Sequence, residues 1–261
     1  MRHILVLMAA AMLALPAFAQ VKPVWADEFD KDGLPDPAKW TYDTGGHGWG
    51  NRELQFYLAD RLENAQVKGG MLHITARKED HEGKPYTSSR MVSKAGWKYG
   101  YIEIRAKLPK GLGTWPALWM LPSSRWEKTG PRWPLCGEID IMEHVGYDEG
   151  VVHGTVHTGA YNHVKGTQKG KQVTVPDATS EFHVYAVDWR QDRIEILVDG
   201  KPYFSFADEG TGQEAWPFNV PFKLLMNIAV GGNWGGRKGV DEKVFPQQMV
   251  IDYVRVYEKR P

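Results

Sequence analysis

Six stretches of this chain alternate apolar and polar residues with a period of two. In Tyr101–Leu108, Ile102, Ile104, Ala106 and Leu108 take one face, while Tyr101, Glu103, Arg105 and Lys107 take the other. Met71–Arg77, Val151–Thr158, Phe182–Trp189, Arg193–Val198 and Met249–Tyr257 repeat the pattern. Each reads as a strand with one face buried. Asp199-Gly200 joins Arg193–Val198 to Tyr203–Phe206 as a tight hairpin. Helical periodicity is almost absent, and no repeat, low-complexity tract or linker divides the chain. These features predict an all-β fold: two antiparallel sheets packed as a β-sandwich, rather than an α/β arrangement. A sandwich of this kind bends one sheet into a groove, and function is expected there.

The first residues are expected to lie outside that fold. Arg2 and His3 precede an apolar run from Ile4 to Leu15, and Pro16-Ala17-Phe18-Ala19 follows. A basic start, an apolar segment and a small-residue site predict a signal peptide over 1–19, cut between Ala19 and Gln20. The run is too short to span a bilayer core of about 30 Å. One domain is then expected over 20–261, exported to the periplasm or medium. Thirty-two basic residues balance 32 acidic ones, so no global field favours nucleic acid or an anionic membrane. A single cysteine excludes an intrachain disulfide and a Cys-rich zinc module; Cys136 reads as a small apolar packing residue. Eleven Trp and 11 Tyr beside 28 Gly suit flat, neutral ligands.

The chemistry is concentrated in Glu138-Ile139-Asp140-Ile141-Met142-Glu143. Under strict alternation Glu138 and Asp140 share a face, and Glu143 points to the other. One β-bulge near Ile141-Met142 re-aims everything after it and returns Glu143 to the acidic face. The Cα atoms of Glu138 and Glu143 are then about 13 Å apart at ~3.3 Å per residue. Side chains leaning together can close that to the ~5–5.5 Å carboxyl separation of a retaining glycosidase. Three crowded acids cannot all ionise, so at least one keeps a proton. A solvated acidic face is the commoner fate of scattered acids, and a calcium cluster would favour Asp, Asn and a Gly-containing loop.

Aromatic residues surround this segment. Trp115 and Trp119 lie four residues apart on one strand face, and Trp49, Trp133 and Trp234 lie in Gly- or Pro-rich loops. Indoles stack on the apolar faces of sugar rings and offer an N–H to a hydroxyl. Core packing is the ordinary use of Trp, and Trp25, Trp40 and Trp189 are assigned to it or to a sheet edge. His157 shares a face with His153 and Thr155 and can hydrogen-bond a sugar or an acid.

Glu138–Glu143 resembles the signature of family 16 glycoside hydrolases, in the laminarinase branch that carries the additional Met. The resemblance runs through most of the chain: Trp25–Asp30, Gly50–Tyr57, Ser89-Arg90-Met91, Tyr99–Glu103, Trp115–Met120, His153–His157 and Gly231–Trp234 follow in family order. It implies a jelly roll with a cleft on the concave sheet, and retaining endo-hydrolysis of β-glucan by double displacement. Glu138 is the implied nucleophile and Glu143 the acid/base, and Asp140 is implied to assist by hydrogen-bonding and holding charge near Glu138. Asn51, Arg90, Trp115, Trp119, His157 and Trp234 are the implied sugar-binding residues. Catalysis needs no cofactor; a structural calcium away from the cleft is implied at Glu28, Gly70 and Asp252. The 122–134 loop departs from the family pattern.

The expectation is therefore a secreted, monomeric endo-β-1,3-glucanase acting on β-glucan polysaccharide or oligosaccharide, with no nucleic-acid or membrane partner. Mixed-linkage β-1,3-1,4-glucan or galactan hydrolysis is the alternative within enzymes, and a non-catalytic β-glucan-binding module the alternative outside them. A pure binder has no need of both glutamates. No G-x-S-x-G, H-E-x-x-H or dinucleotide fingerprint occurs.

Overall fold

The computed structural model describes residues 21–261; the expected signal peptide lies outside them. Strands β1 (Trp25–Asp27), β2 (Trp40–Tyr42), β3 (Gln55–Tyr57), β4 (Ala65–Lys68), β5 (Met71–His81), β6 (Lys84–Ser88) and β7 (Arg90–Ser93) come first. They are followed by β8 (Gly100–Lys107), β9 (Thr114–Pro122) and one short helix, α1 (Ser124–Glu127). Then come β10 (Glu138–Glu143), β11 (Val151–His157), β12 (Lys169–Thr174), β13 (His183–Trp189), β14 (Arg193–Val198) and β15 (Lys201–Ala207). β16 (Phe222–Val230) and β17 (Gln247–Tyr257) complete the fold. Among the described residues no helix is long and apolar enough to cross a membrane.

The strands form two sheets. One runs β15-β14-β13-β8-β17-β5-β6-β3, with β1 on β17 and β4 on β5; the other runs β12-β11-β10-β9-β16-β7-β2. The pairing is antiparallel except between β3 and β6, which run parallel. That exception was not legible, because β3 is three residues long and shows no repeat of its alternation. The core fills the space between the sheets. Ile102, Ile104 and Ala106 of β8 meet Ile139, Ile141 and Met142 of β10 in one buried cluster. Each aliphatic side chain so buried contributes about 1.5–3 kcal/mol, which is how the period-two pattern dictates the sandwich.

β16 is a central strand that shows no alternation. Leu224, Met226 and Ile228 face the core, while Leu225 belongs to a second buried cluster with Val92 and Leu121. Trp119, Trp126 and Trp133 pack against that second cluster. Both faces of β16 are covered, so its sequence reads as a continuous apolar run. In β11, Gly154 is required by a close approach: a Cβ there would lie 2.5 Å from the Tyr203 hydroxyl. Cys136 is buried, its thiol directed at the Gly137 carbonyl, and burial pushes the thiol up to about 11. It is an inert packing residue.

Candidate active site

β10 lies between β9 and β11 in the second sheet. Asp140 opposes Trp119 on β9, but the next paired residue, Met142, opposes Leu118, so Ile141 is the inserted residue of a β-bulge. On the β11 side the register passes from Asp140↔Thr155 to Glu143↔His153. Ile139, Ile141 and Met142 all enter the core, and Glu138, Asp140 and Glu143 all line a cavity of about 410 Å³ on the opposite face. The bulge thus does what the spacing of the acids requires of it.

The three acids are crowded and dry. Asp140 is 3% exposed, and Glu138, Asp140 and Glu143 are each pushed up to about 8, chiefly by burial. The Asp140 charge adds to the rise at Glu138 and Glu143. Opposing influences act on both glutamates. His157 faces Glu138 across the strand pair, its Nε2 3.9 Å from Glu138 Oε1 and 3.4 Å from Asp140 Oδ2. The imidazole of His157 and the guanidinium of Arg90 draw Glu138 toward its anion. Glu143 accepts a hydrogen bond from Trp115 Nε1 (3.0 Å), which together with His157 draws it the same way. Asp140 Oδ2 has no hydrogen-bond partner among the described residues, which suits a carboxyl that shares a proton with its neighbours.

Trp115 and Trp119 line the cavity from β9, Arg90 from the start of β7 and Asn51 from the loop before β3. Trp119 donates from Nε1 to Asn227 Oδ1 (2.7 Å), which fixes its ring. The Gly231-Gly232-Asn233 turn seats the Asn51 loop: Asn233 N–H donates to the Asn51 carbonyl (2.7 Å), and a Cβ on Gly232 would meet that oxygen at 2.9 Å. Trp234 and His157 are placed differently from the other sugar-binding candidates. Trp234 meets Trp115 edge-on at 5.4 Å and His153 at 5.0 Å, so it braces Trp115. His157 is 6% exposed and lies against the acids; its first contact is with Glu138 and Asp140.

Several site residues escaped the sequence reading. Glu53, buried at the cavity wall, accepts from Gln55 Nε2 (2.6 Å), Tyr57 Oη (3.3 Å) and Asn51 Nδ2 (3.3 Å). Burial raises its carboxyl, and those hydrogen bonds together with Arg90 oppose the rise. The i, i+2, i+4 spacing of Glu53, Gln55 and Tyr57 was the available signal. Asn227 also lines the cavity; it is the one polar residue in Leu224–Val230, and that interruption of an apolar run pointed to it. His163, which lines the cavity with its ring tilted against that of Trp133 at 4.9 Å, had no local signal.

The calcium candidates lie away from this cavity, on the other sheet. Glu28 follows β1 and accepts from Arg255 at both carboxylate oxygens (2.8 Å each), while Asp252 pairs with Arg105. Gly70 sits in the turn between β4 and β5. Two carboxylates each held by a guanidinium do not, as they stand, form an open cation cage, and no chemistry is routed through a metal.

Two glutamates on one strand face with an aspartate between them are the kind of carboxyl pair on which glycoside hydrolases work, and comparison with known proteins falls in that class. Residues 52–255 match glycosyl hydrolases family 16, and the chain belongs to that family. A β-glucanase from Rhodothermus marinus is 59% identical over 90% of this chain and 84% of its own length. The crystal structure of the laminarinase from Rhodothermus marinus superposes with a TM-score of 0.89 at 56% identity, over 93% of this chain and 99% of that one. A glucan endo-1,3-beta-glucosidase from Cryptopygus antarcticus is 38% identical over 88% of both chains.

Proposed function

We propose that the chain is an endo-β-1,3-glucanase that cleaves laminarin-like polysaccharide with retention of configuration. The observation that carries this reading is the bulge at Ile141, which brings Glu138, Asp140 and Glu143 to one face beneath an aromatic-lined cavity. Glucosyl units stack on Trp115 and Trp119. Glu143, protonated and held by Trp115, gives its proton to the glycosidic oxygen as that bond breaks. Glu138, drawn to its anion by His157 and Arg90, attacks the anomeric carbon and forms a glycosyl-enzyme. Glu143, now a base, takes a proton from the water that releases the sugar. Asp140 shares its proton with Glu138 and limits the charge that the site accumulates. Relatives named for β-glucan and for its 1,3 linkage support the substrate class.

The test is digestion of three polymers in parallel: linear β-1,3-glucan, mixed-linkage β-1,3-1,4-glucan and agarose. The expected result is a ladder of short oligosaccharides from β-1,3-glucan, formed early and without dominant monosaccharide release. Cleavage of mixed-linkage glucan or agarose in preference to β-1,3-glucan would replace the linkage, and binding without cleavage of any would leave a carbohydrate-binding module. Export through a signal peptide over 1–19 and a monomeric state belong to the same proposal. Calcium at Glu28, Gly70 and Asp252 is a separate proposal, and it requires Arg255 and Arg105 to release the two carboxylates: calcium addition must raise the melting temperature and a chelator must lower it, and no shift in either removes the ion.

A further inference from the structure

Arg90 occupies an unusual position at the cavity wall. Its guanidinium carbon lies 4.5 Å from the centroid of Trp49 and 4.6 Å from that of Trp119, so one cation is stacked against both indoles. The side chain is nearly fully buried. A buried cation needs a counter-charge, and Asp43, just past the end of β2, provides it: Asp43 Oδ2 lies 3.2 Å from Arg90 Nε. The Asp43 backbone N–H also donates to the Arg90 carbonyl (3.0 Å). The other carboxylate oxygen, Oδ1, accepts from Trp126 Nε1 (2.9 Å). Trp126 belongs to α1, inside the loop that departs from the family pattern, and its ring packs on the cluster of Val92, Leu121 and Leu225 beside Trp119.

These contacts form one continuous chain from the loop to the cavity: Trp126 to Asp43, Asp43 to Arg90, and Arg90 to Trp49 and Trp119. We propose that Asp43 and Trp126 are positioning residues that set the sugar-stacking faces of Trp49 and Trp119 through Arg90. The 122–134 loop thereby tunes substrate affinity through the two rings, and it reaches Glu138 only through the same guanidinium. Neither residue lines the cavity. The rings of Trp49 and Trp119 both line the cavity, where a pyranose ring can stack on them, and the guanidinium lies against both and holds them in place. Without the Asp43 charge, Arg90 is a buried cation with no partner at that end and turns toward solvent, which releases both rings. This inference rests on the reading of the cavity as a glucan-binding cleft.

The test is steady-state kinetics on a series of β-1,3-gluco-oligosaccharides with wild type, Asp43→Asn, Trp126→Phe and the double variant. Trp126→Phe keeps a ring over the apolar cluster and removes only the N–H, so it remains informative if Asp43→Asn fails to fold. The expected result is a KM raised about tenfold in Asp43→Asn and less in Trp126→Phe, with a smaller fall in kcat in Asp43→Asn as Arg90 no longer draws Glu138 toward its anion. The double variant is expected to be no worse than Asp43→Asn, because both act through one chain of contacts. Unchanged KM in both single variants, or a fall in kcat at constant KM, overturns the inference. Wild type failing to cleave the series at all would instead overturn the substrate assignment.

Discussion

At the scale of single residues, the site is governed by where protons sit. The ordinary values are 4.5 for Glu138 and Glu143 and 3.8 for Asp140, and all three are pushed up to about 8 in the fold. The folded protein therefore binds more protons than the unfolded chain between those limits, and stability falls as pH rises through that window. Below it, both states are protonated and no stability is lost. Glu143→Gln removes one of these ionisations, and its amide oxygen can still accept from Trp115. The variant is expected to melt higher than wild type at about pH 9 and level with it at about pH 4. A melting-temperature gap that does not change with pH would show that Glu143 is not raised. Residue identity alone told less about orientation. Trp234 and His157 were legible as aromatic and imidazole neighbours of the site, but a strand pattern cannot say whether an indole stacks on a ligand or on another indole.

At the scale of elements, the bulge in β10 decides which face Glu143 takes. Deleting Ile141 removes the inserted residue and leaves Glu138-Ile139-Asp140-Met142-Glu143, which alternates strictly and keeps all three acids on one face without a bulge. A folded deletion variant is therefore expected to keep measurable turnover of a β-1,3-gluco-oligosaccharide, well short of the loss of about a thousandfold or more that follows removal of a group on which the chemistry depends. A loss in the folded deletion variant as complete as that of Glu138→Gln would show that the bulge does more than return Glu143 to the acidic face. This element was legible in advance because six residues held three acids that a flat strand cannot share on one face. β8, β13, β14 and β17 were legible because one face meets the core and the other is largely polar or exposed, apart from a small buried cluster of Tyr101, Ala186, Leu197 and Tyr257. β16 was not, since covering on both faces erases the alternation, and its Asn227 is recognisable only as a lone polar residue in an apolar run. The loop around α1 was legible only as a departure. Its hold on Asp43 joins positions 83 residues apart in the chain, a contact that no local pattern encodes.

At the scale of the whole molecule, one sandwich supplies both stability and function, each from a different face of the same sheet. The inner faces of β9, β10 and β16 close the core, and their outer faces carry Trp115, Trp119, the three acids and Asn227. The acids stand on a rigid strand whose other side is locked by Ile139, Ile141 and Met142, which gives the preorganisation that a two-step displacement requires. Balanced charge leaves the cleft to recognise a neutral polymer by stacking and hydrogen bonding. The central claim is that Glu138 and Glu143 cooperate in a double displacement. The most direct measurement is time-resolved proton NMR of the purified protein with a linear β-1,3-gluco-oligosaccharide, following the anomeric signal of the new reducing end. The account predicts that the β-anomer appears first and mutarotates afterwards; an initial α-anomer would contradict the roles given to both glutamates.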